Sequence, residues 1–259
     1  TASGAAAPRP LSLPMGMATA AMAGFLSLGF EVAWYRLFSI ASAGRAETFA
    51  ILLGYFLLGT AAGALVAGWT GGVAGAVRRR PREALALLLV AACAAGLLVS
   101  PLLVLIAPHV AGTLRQAPLV VLPAALFGMV LPLACDLSSA ANGRVGRRLG
   151  LLYAANIAGS TAGALAVGLF VLDVLPLRFL PMALLALGLL GAALLRGRPE
   201  GAGLLGPAGV VVAALLLAAT TLPGAFYERL QPRFARERQG GLFGEVIEGR
   251  GGVITVDRA

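Results

Sequence analysis

The sequence predicts an all-α membrane protein: a polytopic transmembrane helix bundle with an internal inverted repeat and a short β-hairpin at its C-terminus. Three observations support this class. Of all residues, 59% are apolar and only 12% are charged, long apolar runs recur along the chain, and the glycine pattern of one run returns in another. Soluble domains are about one-quarter charged, so we expect the lipid bilayer to be the partner that surrounds this chain.

Seven apolar runs have about the length, roughly 20 residues, that a helix needs to cross a bilayer. In chain order they are Leu13–Ser42, Thr48–Val77, Ala84–Ala107, Ala117–Ala140, Gly150–Leu172, Phe179–Leu195 and Leu204–Leu222. The sixth run is the shortest and contains Pro181, and the seventh begins at a Gly206-Pro207 break. We therefore expect about seven spans in a transmembrane helical domain of residues 1–223.

Two sequence matches indicate an internal duplication. GTAAGALVAG at residues 59–68 nearly recurs as GSTAGALAVG at 159–168, and SIASAGR at 39–45 resembles SSAANGR at 138–144. The glycine-rich runs are the second and the fifth, so alternating spans would point them in opposite directions. This predicts an inverted repeat of runs one to three against runs four to six, an arrangement found in transporter folds.

Glycines within the repeated runs are predicted to pack helices together. Gly59 and Gly63 in the second run, and Gly159 and Gly163 in the fifth, are spaced to share one helix face. A face without side chains lets another helix approach closely, which matters where lipid gives no hydrophobic drive between helices. A groove for a substrate is the alternative interpretation.

The net charge is +9 and every basic residue is an arginine, but this does not indicate a nucleic-acid partner. The arginines lie mostly in short loops, where positive charge sets orientation in the membrane. With alternating spans one face collects ten of them: Arg9, Arg78, Arg79, Arg80, Arg82, Arg144, Arg147, Arg148, Arg196 and Arg198. That face is predicted to be cytoplasmic, in a multi-pass protein of a bacterial inner membrane. Parity then places the C-terminal tail outside, whereas the arginines of the tail favour the inside.

No cofactor, metal site or catalytic residue is predicted. Cys93 and Cys135 each lie within an apolar run, where a small packing role is expected, and His109 is the one histidine. A zinc site would need about four such ligands close together. The spacing of these residues provides no ligand set.

A candidate intramembrane polar site begins with Glu31 and Arg36, near the end of the first run. Ionisable residues in a span are costly and face the bundle interior or a partner. Trp34 and Tyr35, between them, are typical of the membrane interface. One interpretation is structural: Arg36 reaches the headgroups and Glu31 meets a hydrogen-bond donor on a neighbouring helix. The alternative is that these residues handle a proton or a substrate.

The same candidate site extends to the fourth and fifth runs. Asp136 follows Pro132 and precedes several arginines, so a helix cap or a loop salt bridge is expected. Tyr153, Asn156 and Ser160 recur at helical spacing on one face of the fifth run. They predict interhelical hydrogen bonds, with a polar cavity as the alternative.

After the last run the sequence changes character. Residues 224–241, in which Phe226, Leu230 and Phe234 recur every four positions among charged residues, predict an interfacial segment on the membrane surface. Residues 242–259 contain two short β-prone stretches around a glycine-rich turn, which predicts a hairpin. We interpret this hairpin as the start of a truncated soluble domain.

These residues carry a resemblance to one family. Phe30–Leu37 (FEVAWYRL), together with the glycine-rich second helix, resembles the N-terminal membrane region of spermidine synthase-like membrane proteins, the fused major-facilitator/spermidine synthase family. The segment from Leu131 through Gly163 is similar to the most recognisable part of that family. Gly244–Asp257 resembles the opening hairpin of the attached aminopropyltransferase domain.

The resemblance implies a membrane domain that anchors or serves an aminopropyltransferase-like domain of polyamine biosynthesis. The catalytic glycine-rich loop and the amine-binding carboxylates of such an enzyme would follow Asp257, so no catalytic residue is transferred and enzyme activity of this chain stays uncertain. Two alternatives differ in class: a transporter for polyamines or related amines, and a structural subunit that packs against other membrane subunits.

Overall fold

The computed structural model describes residues 11–69, 80–107, 109, 112–138, 145–196, 226, 230, 243–249 and 252–257. The helices in these ranges are α1 (Leu13–Ala41), α2 (Glu47–Trp69), α3 (Pro81–Ile106), α4 (Thr113–Ser138), α5 (Val145–Val174) and α6 (Leu180–Arg196). Helices α1 to α5 are long and apolar enough to cross a membrane, and α6 is a shorter apolar helix of 17 residues. The described chain is therefore a helical bundle of the multi-pass membrane type.

Local chemistry explains where α1 begins and ends. Ser12 precedes the helix with an extended backbone, and a proline follows in the first turn, where its missing N–H costs nothing. At the other end Ala43 and Gly44 adopt left-handed backbone angles, and the Gly44 N–H donates to the Ser39 carbonyl at 2.8 Å. This left-handed cap satisfies carbonyls that the helix would otherwise leave open. The chain then turns into α2, with the Thr48 hydroxyl donating to the Ser42 hydroxyl at 2.8 Å.

Helices α4 and α5 each contain a non-α segment. In α4, Ala117–Val120 is a 3₁₀ turn that contains Pro118, whose missing N–H breaks the regular i→i−4 ladder. In α5, Ala166–Val171 is a π-helix, and the Leu172 N–H donates to the carbonyl of Val167, five residues back. Such π segments are rare and occur frequently at functional sites.

The bundle is organised by a few strong pairings. Helix α1 packs along α5, α2 packs along α4, and α3 packs against both α6 and α4. Helix α1 also contacts α4 and α6. Of the candidate spans α3 and α1 are the most buried, and α2 and α5 lie on the outside. The core is built around the rings of Phe30, Trp34 and Phe127, with centroid distances of 5.6 Å and 5.9 Å from Phe30 to its two neighbours.

Large apolar side chains cover the outward faces of α2 and α5. The most exposed include Leu58, Trp69, Ile157 and Phe170, which are 59%, 84%, 62% and 67% exposed. Contiguous apolar surface of this kind is unfavourable in water. Hydrocarbon chains accommodate it, so the outer helices indicate a lipid environment.

Two strands follow the helices: β1 (Phe243–Gly249) and β2 (Gly252–Asp257). They pair antiparallel with Val246 opposite Thr255, and the register shifts between Phe243 and Glu245. Strand β1 lies against the last turn of α5, Leu172–Val174.

Several expectations fall on parts of the chain that the structure does not describe. These are the end of the second run (residues 70–77), the seventh run, the SSAANGR segment apart from Ser138, and the 224–241 segment apart from Phe226 and Leu230. Two residues of that segment are described. Phe226 and Leu230, which we expected at the membrane surface, are buried against the main hydrophobic core.

Candidate functional site

The four repeat glycines lie where helices meet most closely. Gly159 and Gly163 of α5 face the backbone of Ala21 and Phe25 in α1, and a Cβ on either glycine would overlap a carbonyl oxygen. On the other side of the bundle, α2 meets α4 in the same way. There Gly59 faces Val121 and Gly63 faces Ala125. In both pairs the absence of a side chain allows direct backbone contact, which is the packing role that such glycines commonly have in membranes.

The α1–α5 contact has a regular register. Gly16 meets Leu152, Ala21 meets Gly159, Phe25 meets Gly163 and Gly29 meets Val167. Residue numbers increase together along both helices, so α1 and α5 run parallel. This register places the other polar residues relative to one another.

Asn156 and Ser160 share one location on this interface. The Asn156 side-chain amide donates to the Ala20 carbonyl at 3.0 Å. Both side chains face Gly24 of α1, and a Cβ there would overlap the Asn156 backbone and crowd the Ser160 hydroxyl. Asn156 therefore forms an interhelical hydrogen bond. Tyr153, the third member of the predicted stripe, is 53% exposed.

Glu31 and Arg36 lie on α1 beyond the stretch that α5 covers most closely, and both are partly buried. Glu31 is four residues past Ser27, the middle residue of α1, whereas Arg36 lies five residues before the last residue, Ala41. No hydrogen bond or ion pair joins Glu31 to another residue within the described ranges, whereas Arg36 is engaged in an interaction. The two residues therefore do not neutralise each other.

Trp34 and Tyr35, predicted to lie at the membrane interface, differ in burial. Trp34 is fully buried, and its indole N–H donates to the Gly96 carbonyl of α3 at 3.1 Å. Helical periodicity explains the difference, because Trp34 lies on the same inward face as Phe30, one turn earlier. Tyr35, on the next face, is 38% exposed and stacks edge-on against Phe49 of α2.

Asp136 lies at the C-terminal end of α4, which is capped by other groups. The Arg148 guanidinium donates to the Ser138 carbonyl at 3.0 Å, and the Leu11 N–H donates to the Leu137 carbonyl at 2.9 Å. A cation at a helix C-terminus also meets the negative end of the helix dipole. Asp136 is exposed and takes part in an interaction of its own.

The candidate polar residues therefore form separate groups. Ser138 at the end of α4 lies beside Gly16 of α1, fifteen residues before Glu31. At 1.5 Å per helical residue this is a separation of about 22 Å along α1. Asp136 and Glu31 consequently belong to different levels of the bundle, and Asn156 with Ser160 lies between them.

Several helix contacts as close as those of the repeat glycines were not predicted from the sequence. Gly24 and Gly128 form backbone contacts as close as those of the repeat glycines, and Gly96 supplies the acceptor for Trp34. A buried hydroxyl pair, Thr48 and Thr113, lies 3.4 Å apart where α2 meets α4. The spacing of Gly16 and Gly24, two helical turns apart, could have predicted the close contact of α1 with its neighbours. Nothing in the sequence predicted that the Gly96 carbonyl accepts a hydrogen bond from Trp34.

Metal ligands do not come together in the described ranges: no three His, Cys, Asp or Glu side chains there could hold an ion. Both cysteines are free thiols, and Cys93 packs where a side chain on Gly188 would lie.

No protein-family model matches the chain, and neither curated proteins nor solved structures gave a significant match.

Proposed function

We propose that this chain is the membrane domain of a spermidine synthase-like protein and anchors an aminopropyltransferase-like domain. The observation that carries the proposal is the β1–β2 pair, which follows an apolar helical bundle and lies against the end of α5. A lone two-stranded hairpin is marginally stable in water. We infer that further strands of a soluble domain complete it.

We also propose that the bundle derives from an inverted repeat. Gly59 of α2 faces Val121 of α4, and Gly159 of α5 faces Ala21 of α1. Adding 100 to the residue number of Gly59 and subtracting 100 from that of Val121 gives the second contact. Gly63 with Ala125 and Gly163 with Phe25 are related in the same way. The exchange relates α2 packed on α4 to α5 packed on α1, as expected if each half were a copy of the other.

The proposed topology has seven spans in a bacterial inner membrane, with the arginine-rich loops in the cytoplasm. The loop before Val145 would then be cytoplasmic, and α5 would end on the opposite side. Because β1 contacts that end of α5, the hairpin and the domain that follows it would lie outside the cytoplasm. This supports the parity of seven spans over the arginines of the tail.

The transferase proposal is tested on the full-length native protein. Membranes carrying it should transfer an aminopropyl group from decarboxylated S-adenosylmethionine to putrescine. A protease site inserted between Arg238 and Leu242 should move that activity into the soluble fraction after cleavage. Absence of transfer, together with a downstream sequence that has no strand followed by a glycine-rich turn, would overturn the proposal.

A transporter in which Glu31 and Asp136 line one cavity gains no support from the geometry, because the two carboxylates lie at different levels. A structural subunit predicts an apolar face covered by another protein. The exposed faces of α2 and α5 fit lipid equally well, so we add no second function.

A further inference from the structure

We propose that Glu31 is a binding site within the membrane for one positive charge, a proton or a small alkali-metal cation. The proposal is independent of the transferase function. It rests on the depth of Glu31, on the lack of partners for its oxygens among the described residues, and on the open space beside Gly168 near the same level.

The depth of Glu31 follows from its position in α1. Ser27 is the middle residue of Leu13–Ala41, and Glu31 lies four residues further, or about 6 Å at 1.5 Å per residue. The hydrocarbon core extends about 15 Å to either side of its midplane. With α1 centred in the bilayer, Glu31 lies well inside the hydrocarbon, beyond the reach of its short side chain to the headgroups.

A second oxygen-bearing side chain lies beside Glu31. Ser27 precedes it by four residues and shares its face of α1, and Ser27 is only 8% exposed. Neither Ser27 nor Glu31 has a hydrogen-bonding or ionic partner among the described residues. A carboxylate and a hydroxyl are hard oxygen donors of the kind that alkali and alkaline-earth cations prefer.

The surrounding helices provide no described countercharge. In α2 to α6 the described charged side chains occupy first or last turns: Glu47, Arg82, Glu83, Arg115, Asp136, Arg147, Arg148, Asp173 and Arg196. The other titratable groups of these helices are Tyr55, Cys93, Cys135 and Tyr153, and those next to Glu31 on α1 are Tyr35 and Arg36. None of them bonds to Glu31. Among the described residues, therefore, no bound charge competes with one that arrives at Glu31 from outside the protein.

Gly168 of α5, near the level of Glu31, has open space beside it. The α1–α5 register reaches Gly29 with Val167, and two further residues bring Glu31 level with Gly168 and Leu169. These two residues belong to the π-helix, and a Cβ on Gly168 would meet no atom within 4 Å. A side chain added at Gly24 would therefore meet α5, whereas one added at Gly168, near the level of Glu31, would meet no described atom.

The test uses the full chain in liposomes and dicyclohexylcarbodiimide, an apolar reagent that modifies protonated carboxyl groups in lipid. We expect mass spectrometry to find the adduct on Glu31 and to lose it in Glu31→Gln. Asp136→Asn, which removes an exposed carboxylate from the end of another span, should leave the Glu31 adduct unchanged.

Two arms distinguish the charges. Slower labelling with added NaCl or KCl at constant pH and ionic strength identifies an alkali cation, and Ser27→Ala should then weaken the protection severalfold. A labelling rate that neither salt changes but that falls as pH rises identifies a proton. A Glu31 that is never labelled, or is labelled at one rate under all these conditions, overturns the proposal. A transferase assay on the same preparation bears only on the proposed function.

Discussion

At the scale of residues, glycines stabilise this bundle because they have no side chain to separate two helix backbones. Gly63 and Gly159 bring helix backbones into direct contact at the two related interfaces. Lipid is as apolar as leucine, so packing of this closeness replaces the hydrophobic effect as the source of helix association. Stability should therefore be sensitive to one methyl group at these positions.

We expect Gly63→Ala and Gly159→Ala each to destabilise the bundle by about 1 to 3 kcal/mol, the usual cost of overfilling a packed interior. The added Cβ would overlap the carbonyl oxygen of Ala125 or of Ala21, and backbone cannot move aside as a flexible side chain can. Unfolding by SDS titration in mixed micelles, followed by circular dichroism, measures the loss.

Matched controls exist on the same two helices. Gly54 in α2 and Gly150 in α5 have no atom within 4 Å of a built Cβ. Gly54→Ala and Gly150→Ala should stay within about 0.5 kcal/mol of the parent, as surface substitutions usually do. Equal losses at contact and control positions would contradict the packing role.

Asn156 has a smaller, polar contribution at the same interface. Asn156→Ala should cost about 1 kcal/mol, the scale of hydrogen bonds between membrane helices, because the Ala20 carbonyl loses its side-chain donor. Tyr153→Phe, which removes an exposed hydroxyl three residues earlier, should be nearly neutral in the same SDS titration. A loss from Tyr153→Phe as large as that from Asn156→Ala would contradict the role assigned to the Asn156 hydrogen bond.

At the scale of elements, apolar length predicted the helices well. The runs beginning at Leu13, Ala84 and Phe179 correspond to α1, α3 and α6 with ends that shift by a few residues. Length alone could not say which face points inward, since these helices are apolar all round. The burial of Trp34 was therefore not predicted, and the π-helix of α5 left no sequence signal.

The two tryptophans of the chain provide a direct test of helix orientation. Trp34 is fully buried and Trp69 is 84% exposed. In liposomes of brominated lipid we expect strong quenching of Trp69 fluorescence in Trp34→Phe, and little quenching of Trp34 in Trp69→Phe. Similar quenching of both variants would mean that Trp34 faces lipid.

At the scale of the whole molecule, the sequence located the candidate residues but not their grouping. Glycine spacing correctly indicated close helix contacts, because small residues mark them at any depth. Glu31, Asp136 and Asn156 were grouped as one site because all are polar in apolar runs. Their levels depend on how far α1 and α5 slide along each other, and that register is set by tertiary packing.

The same packing makes the two halves mutually dependent. The main partner of α1 is α5 and that of α2 is α4, while α3 packs on α6 and α4. Each half, α1–α3 or α4–α6, thus makes its closest contacts with the other half. A half on its own would leave its glycine faces, including Gly63 or Gly159, without the backbone that fills them.

We therefore expect a chain divided between His109 and Gly112 to reassemble. Residues 1–109 carrying an affinity tag should co-purify residues 110–259 when both are expressed together, and should be degraded or aggregated when expressed alone. Gly63→Ala in the first fragment should weaken recovery of the second, since it disrupts the contact with Ala125, whereas Gly54→Ala should not. If the first fragment alone were monodisperse and as resistant to protease as the intact chain, its helices would have a core of their own, and the interlocking of the halves would not be what stabilises the fold.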